Sequence, residues 1–383
     1  MANHVQMELP GEWPEPVVSV QSLSDSGPTA IPDRYVRPPC ERPTPCSGGG
    51  PAAADLTVID LAALGGSAGD CRATMGAISE ACREWGFFQV VNHGVAPELL
   101  ERMQGAAREF FALPAEEKRR VSRDAVNPVG YYDTEHTKNV RDWKEVFDFL
   151  MEDEVAVTPA TPDEHGDGKV RTWKNQWPPN PPKLREAGVE YARAVESLAF
   201  KLLELISLTL DLPAKRLNGF FHGQPQSNFI RLNHYPPCPA PHLALGVGRH
   251  KDGGALTVLA QDDVGGLDVK RKSDGEWVRV RPIPDSYIIN VGDIIQVWSN
   301  DKYESAEHRV SVNSEKERFS IPFFFNPKLS VTVEPLEELV NELSPPKYEA
   351  YNWGVFFETR KNSNFRKLAV ENLQISQFRK TVE

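Results

Sequence analysis

The 383 residues carry 54 acidic and 43 basic side chains, a formal net charge of −11, which argues against any non-specific hold on nucleic acid or an anionic membrane. Hydrophobic residues make up 40% and charged residues 25%, ordinary values for a globular protein, so wholesale disorder is excluded. Five cysteines without a repeated C-x-x-C spacing indicate neither a disulfide framework nor a zinc ribbon, and suit a reducing compartment.

Residues 1–54 are dense in Pro, Gly and Ser and end in the run Gly48 to Ala54, which reads as a flexible arm and linker. Trp13, Val18, Val20 and Leu23 offer a little apolar surface for docking. Met1 to Pro16 shows no basic stretch leading into an apolar run, and no stretch approaches 18 apolar residues, so neither signal peptide nor membrane span is expected. With the acidic charge, this favours the cytosol and leaves nuclear entry open; no obligate protein partner is indicated.

Order is expected from Leu56–Asp60, a short β-prone run, followed by a helix that stops before Gly86 and feeds a strand through Val91. A second helix is expected over 97–113 and a third over 184–210, where Val195, Ala199, Leu202, Ile206 and Leu210 recur at helical steps. This third helix should brace a sheet. Beyond Gln226 the pattern changes to eight short β-type runs: Phe229–Tyr235, Ala255–Gln261, Leu267–Arg271, Trp277–Arg281, Tyr287–Val291, Ile294–Trp298, His308–Val312 and Phe319–Phe325. Turns at Ser273-Asp274-Gly275 and Gly292-Asp293 favour antiparallel pairing, so the expected class is mainly β with flanking helices, a jelly roll around a central cavity. The chain thus divides into an arm (1–54), an α/β region (55–180), a bracing helix and connection (181–225), a β domain (226–330) and a helical extension (331–383).

The sharpest chemical signal is His250-Lys251-Asp252 with a later His308. Residues two apart in an extended segment face the same way, so His250 and Asp252 can meet His308 at one ion. Two imidazoles and a carboxylate on one face suit Fe(II) and leave three coordination positions for oxygen chemistry. Taken alone, H-x-D reads first as ordinary surface histidines near strand ends, and the surrounding motifs shift that reading toward the ion site. Arg318 and Ser320 form another i, i+2 pair, offering a forked guanidinium and a hydroxyl to the distal carboxylate of a 2-oxo acid; a structural ion pair is the alternative. Arg231, Asn233 and Tyr235 share one side of a strand ended by Pro236-Pro237-Cys238-Pro239.

These motifs, with Trp85-Gly86-Phe87-Phe88-Gln89-Val90-Val91-Asn92-His93-Gly94, Gly266-Leu267 and Gly292-Asp293, resemble the plant-type 2-oxoglutarate- and Fe(II)-dependent dioxygenases, which include anthocyanidin synthase, flavonol synthase and the gibberellin oxidases. The resemblance runs from about Leu56 to Phe378. It implies a double-stranded β-helix, cupin-like, in which His250, Asp252 and His308 hold iron, Arg318 and Ser320 hold 2-oxoglutarate, and Tyr235 and Asn233 lie near its metal-bound end. Lys251 departs from the Ser or Thr common at that position, but the middle side chain points away from the metal. The implied reaction consumes O2 and 2-oxoglutarate, with ascorbate as reductant, and releases succinate and CO2 while hydroxylating or desaturating a small molecule, a hormone or a phenolic. An oxidase that dispenses with 2-oxoglutarate and a silent ligand-binding protein are the alternatives.

Substrate walls are expected from the segment 131–149, including Trp143, Phe147 and Phe149, and from Phe324, an aromatic lining suited to a flat or hydrophobic molecule. Trp143, Phe147 and Phe149 could equally be core. Arg231 is placed to receive a substrate carboxylate, or else to form a structural ion pair. The arm resembles that of jasmonate-hydroxylating members, which the core follows less closely. His93 reads as a hydrogen-bonded structural histidine, His234 as outward-facing, and His136, His165, His222 and His242 as exposed.

Overall fold

The computed structural model describes residues 18–27, 30–43, 56–124, 126–157, 171–223, 226–363 and 373–380. Trp13 and His165 lie outside them. The arm is not a loose tether in its described part. Ser19 caps a short helix, α1 (Val20–Asp25), and Val20, Ile31 and Tyr35 bury themselves against Trp143, Cys238, Ala240 and Ala244. Of the residues expected to dock, Val20 is buried and Leu23 packs against the same cluster while Val18 is exposed; Ile31 and Tyr35 are anchors that the Pro-rich composition concealed, since they follow neither helical nor strand period.

A parallel pair, β1 (Val58–Asp60) and β2 (Phe87–Val91), flanks α2 (Ala68–Glu84), whose start is fixed by a capping box between Ser67 and Asp70. Pro97 opens α3 (Pro97–Phe111) at the position where its missing N–H costs nothing, and α4 (Ala115–Arg119) follows. Then come β3 (Gly130–Tyr132), the hairpin β4 (His136–Thr137) and β5 (Val140–Arg141), β6 (Glu145–Leu150), and a pair formed by β7 (Glu154–Val157) and β8 (Arg171–Lys174). The long helix α5 (Lys183–Thr209) falls within a residue of its expected span and buries a stripe from Leu184 to Ile206.

The β region comprises β9 (Phe229–Tyr235), β10 (Leu245–His250), β11 (Leu256–Gln261), β12 (Leu267–Lys270), β13 (Trp277–Arg279), β14 (Tyr287–Val291), β15 (His308–Ser311) and β16 (Arg318–Phe325). Eight strands form one sheet in the order β1-β2-β14-β11-β16-β9-β6-β3, and four form a second, β10-β15-β12-β13. The cavity lies between them, lined from both sheets. On the outside, α5 packs against β11 and β16 and receives α2 and α3.

Two assignments need correction. Ile294–Trp298 is not a strand: it belongs to α6 (Asp293–Trp298), every residue of which is buried. A short run that is apolar except for Gln296 carries no period to distinguish the two states. β10 was missed because Gly246 and Gly248 lower its strand propensity; pairing with β15 forms it. After β16 come a small pair, β17 (Thr332–Val333) and β18 (Tyr351–Asn352), and α7 (Trp353–Ser363), whose Trp353, Phe356 and Phe357 close one side of the cavity. Among the described residues no helix is long and apolar enough to cross a membrane.

Candidate active site

Strand pairing brings the two histidines together. His250 ends β10 opposite His308 at the start of β15, with ring centroids 4.2 Å apart. Asp252 Oδ1 lies 3.6 Å from both Nε2 atoms, and the three potential ligand atoms all lie within 4.8 Å of one another. The far sides of these groups are committed. His250 Nδ1 donates to the Gly248 carbonyl at 2.9 Å and His308 Nδ1 to the Ala306 carbonyl at 3.2 Å, which leaves each Nε2 lone pair aimed inward. Asp252 Oδ2 accepts from Thr257 Oγ1 at 2.6 Å and Asn290 Nδ2 at 2.8 Å, leaving Oδ1 to face the histidines.

Electrostatics match that geometry. Burial, reinforced by the neighbouring His250, pushes the His308 imidazole down to about 4, so it is a neutral donor near neutral pH. Burial alone would raise the Asp252 carboxyl, but His308, His250 and Thr257 outweigh it and hold the group ionised. A divalent iron fits two neutral imidazoles and one carboxylate with open positions on the cavity side. Sequence reasoning passed over Thr257 and Asn290; their signal was a lone polar residue inside an otherwise apolar strand.

Arg318 and Ser320 on β16 stand opposite Tyr235 and Asn233 on β9. The Arg318 guanidinium is buried, donates through Nη2 to Gln261 Oε1 at 3.0 Å, and among the described residues finds no hydrogen-bond partner at Nε or Nη1. Its carbon lies 4.9 Å from the Tyr235 ring centroid. A buried cation with unmet donors is costly unless an anion completes it, and its planar fork suits a carboxylate. Asn233 Nδ2 reaches Ser320 Oγ at 3.4 Å. Gly246 is required beside them: a Cβ there would stand 2.5 Å from the Tyr235 ring.

The cavity, of about 790 Å3, extends from these groups to a second, charged end. Phe324 lines it as expected, stacked on Phe229 at 4.6 Å. Trp143 and Phe147 do not. Trp143 donates through Nε1 to the Pro236 carbonyl and packs edge-on against Tyr35, fully buried under the arm. Phe147 pairs with Leu232 on the helix-facing side of the sheet and packs on Phe110, whereas its neighbour Asp148 pairs with Arg231 on the cavity side. Alternation along β6 therefore selects Asp148, not Phe147, for the site.

Arg231 faces the cavity, but its fork is taken: Nε and Nη2 donate to Asp148 at 2.8 and 3.0 Å, and Nη1 to Glu135 at 3.1 Å. The ion pair is the outcome. Lys144 binds Glu135, and Lys361 of α7 donates to Asp148 Oδ2 at 3.1 Å. Burial would raise the Asp148 carboxyl, yet Arg231 and Lys361 hold it down at about 2, while burial lowers the Lys361 ammonium to about 8. Among the described residues, eight lysine and arginine side chains line the cavity against four aspartates and glutamates, with Asp148 buried behind Arg231 and Lys361. His234 is turned from the cavity as expected but is not exposed; it is buried between Glu145 and Glu317, which raise its pKa against the opposing effect of burial. His136 is half-buried at the cavity wall, and His93 binds the Asp285 carbonyl.

Residues 226–327 match the 2OG-Fe(II) oxygenase superfamily, and residues 56–180 match the N-terminal segment described as that of the non-haem dioxygenase in morphine synthesis. Jasmonate-induced oxygenase 2 of Arabidopsis thaliana is 41% identical over 88% of this chain and 87% of its own length. Feruloyl CoA ortho-hydroxylase 2 of the same plant is 35% identical, covering 86% of each. Among solved structures, JOX2 in complex with 2OG, Fe and JA superposes with a TM-score of 0.75 at 38% identity, covering 91% of this chain and 94% of that one. The rice dioxygenase for auxin oxidation gives 0.63 at 28% identity, covering 85% and 100%.

Proposed function

Because the chain belongs to the 2OG-Fe(II) oxygenase superfamily, we propose that it hydroxylates an anionic small molecule of the jasmonate type, held at the charged end of its cavity. The observation that carries the anionic preference is the twofold excess of cationic over anionic side chains around the cavity of a chain whose net charge is −11. The kinship with jasmonate-induced oxygenases points the same way.

In this reading His250, Asp252 and His308 are the iron ligands and Arg318 with Ser320 clamps the distal carboxylate of 2-oxoglutarate. Bound Fe(II) and 2-oxoglutarate supply the oxidising chemistry: O2 is consumed, 2-oxoglutarate becomes succinate and CO2, and one oxygen atom enters a substrate C–H bond. The protein's own task is placement. Gly248 and Ala306 carbonyls keep both imidazoles in the ligating tautomer, and Thr257 and Asn290 keep one Asp252 oxygen turned inward. Phe229 and Phe324 supply an apolar wall for the substrate body. Lys361, whose ammonium gives one of its three hydrogens to Asp148, receives the substrate anion, and Arg231 is a positioning residue fixed by Asp148 and Glu135.

Succinate release by Fe(II)-loaded protein with 2-oxoglutarate and ascorbate tests the reading. Jasmonate-type acids should stimulate it, and their methyl esters and neutral flavonoids should not. Equal stimulation by ester and acid would overturn the anionic preference, and stimulation by flavonoids alone would assign a phenolic substrate.

A further inference from the structure

We propose that the N-terminal arm positions the metal-binding strand pair β10–β15, through Arg37 and Glu41. The inference rests on the reading of His250 and His308 as iron ligands.

Arg37 is fully buried although it belongs to a Pro-rich segment outside the barrel. Its Nη1 donates to the Thr137 carbonyl at 2.7 Å and its Nη2 pairs with Asp142 Oδ1. That same Asp142 oxygen accepts the Gly248 N–H at 3.0 Å, and the Gly248 carbonyl accepts from His250 Nδ1 at 2.9 Å. A continuous path of four groups therefore runs from the arm to the back of one imidazole. The contact is close: a Cβ on Gly248 would come within 2.7 Å of Arg37 Nη1, so the guanidinium lies directly on the backbone two residues before the ligand.

A second path reaches both histidines from the cavity mouth. Glu41 pairs with Arg249 at 3.4 Å, and Arg249 pairs with Glu307 at 2.7 Å. Arg249 and Glu307 are the chain neighbours of His250 and His308. The arm thus touches β10 at Gly248 and Arg249 and reaches β15 through Arg249, while its backbone is tied to the Leu243 carbonyl by Arg37 N–H at 2.8 Å. The apolar anchors Val20, Ile31 and Tyr35 explain why the arm docks; they do not explain why its charged groups converge on the residues flanking the ligands. Groups that orient a ligand from behind typically govern metal affinity by ~10–100-fold.

The test is Co(II) binding by the full chain, followed by visible absorption, in wild type, Arg37→Met, Arg37→Lys, Glu41→Gln and His250→Ala, with circular dichroism to establish folding. Arg37→Met should weaken Co(II) binding by ~10-fold or more and change the absorption envelope. Arg37→Lys should restore part of both, and Glu41→Gln should weaken binding by a smaller factor. A purely structural arm would lower the unfolding midpoint yet leave the affinity and spectrum of the folded variant untouched, and that result would overturn the proposal. If Arg37→Met does not fold, the half-buried variant Glu41→Gln decides, with wild-type affinity counting against the proposal. Wild-type affinity in His250→Ala would instead overturn the ligand reading, and the positioning role with it.

Discussion

The two ends of the cavity are built on different principles. At the metal end, His250, Asp252, His308, Arg318 and Ser320 stand on or next to β10, β15 and β16, and backbone carbonyls, Thr257 and Asn290 occupy the far sides of the three proposed ligands. At the other end, three cations, Lys144, Arg231 and Lys361, come from separate segments and pair with two carboxylates, Glu135 and Asp148. The first is a set of directed atoms fixed by strand alternation. The second is a network of ion pairs, in which altering one member weakens the compensation of another buried charge. In the proposed reading the metal end sets the reaction and the charged end the choice of substrate.

The largest effect should come from attacking the directed end. Asp252→Ala should reduce iron-dependent succinate formation by at least ~100-fold, since it removes a ligand whose outer partners alone govern affinity by ~10–100-fold; single-turnover assays at saturating iron would check it. Breaking the charged end should instead appear in stability. Arg231→Met leaves Asp148 with Lys361 and Glu135 with Lys144 as their remaining ion-pair partners and should cost about 3 kcal/mol in urea unfolding, with Asp148→Asn in the same background recovering part of the loss. Arg318→Met should raise the apparent KM for 2-oxoglutarate by ~10–100-fold, the worth of a charged hydrogen bond, while substrate affinity at the other end changes little. The smallest signal is in pH. The folded Asp148 carboxyl sits at about 2, below its ordinary 3.8, so its stabilisation is present above 3.8 and is lost as pH falls from there toward 2. Asp148→Asn should flatten the acid limb of the stability profile over that interval, and an unchanged slope would separate this carboxylate from acid unfolding.

The same division governs what the sequence reveals. H-x-D, the distant His308 and R-x-S are legible because i, i+2 spacing on a strand already implies a shared face. The charged end is not, because its partnerships span long separations: Arg231 with Glu135 across 96 residues and Lys361 with Asp148 across 213. Phe147 and Trp143 look like aromatic walls until the register with β9 turns Phe147 to the helices and the arm covers Trp143. Seven of the eight β-type runs in 226–330 form strands. The exception, α6, is a mostly apolar run without a period, and the overlooked β10 is a glycine-weakened segment formed by its partner. Arg37 was hidden by composition, since a buried ion pair inside a Pro-rich arm leaves no local pattern.

The pairing of β2 with β14 has a consequence for biosynthesis. Phe87–Val91 is an almost wholly buried strand whose antiparallel partner, Tyr287–Val291, is made nearly 200 residues later. At roughly 5–20 residues per second, the ribosome leaves that apolar edge open for about 10–40 s. An unpaired edge of this kind is a template for other nascent chains. The yield of soluble protein should therefore depend on translation speed and on chaperones that shield β2 until β14 emerges, independently of how stable the completed sheet becomes.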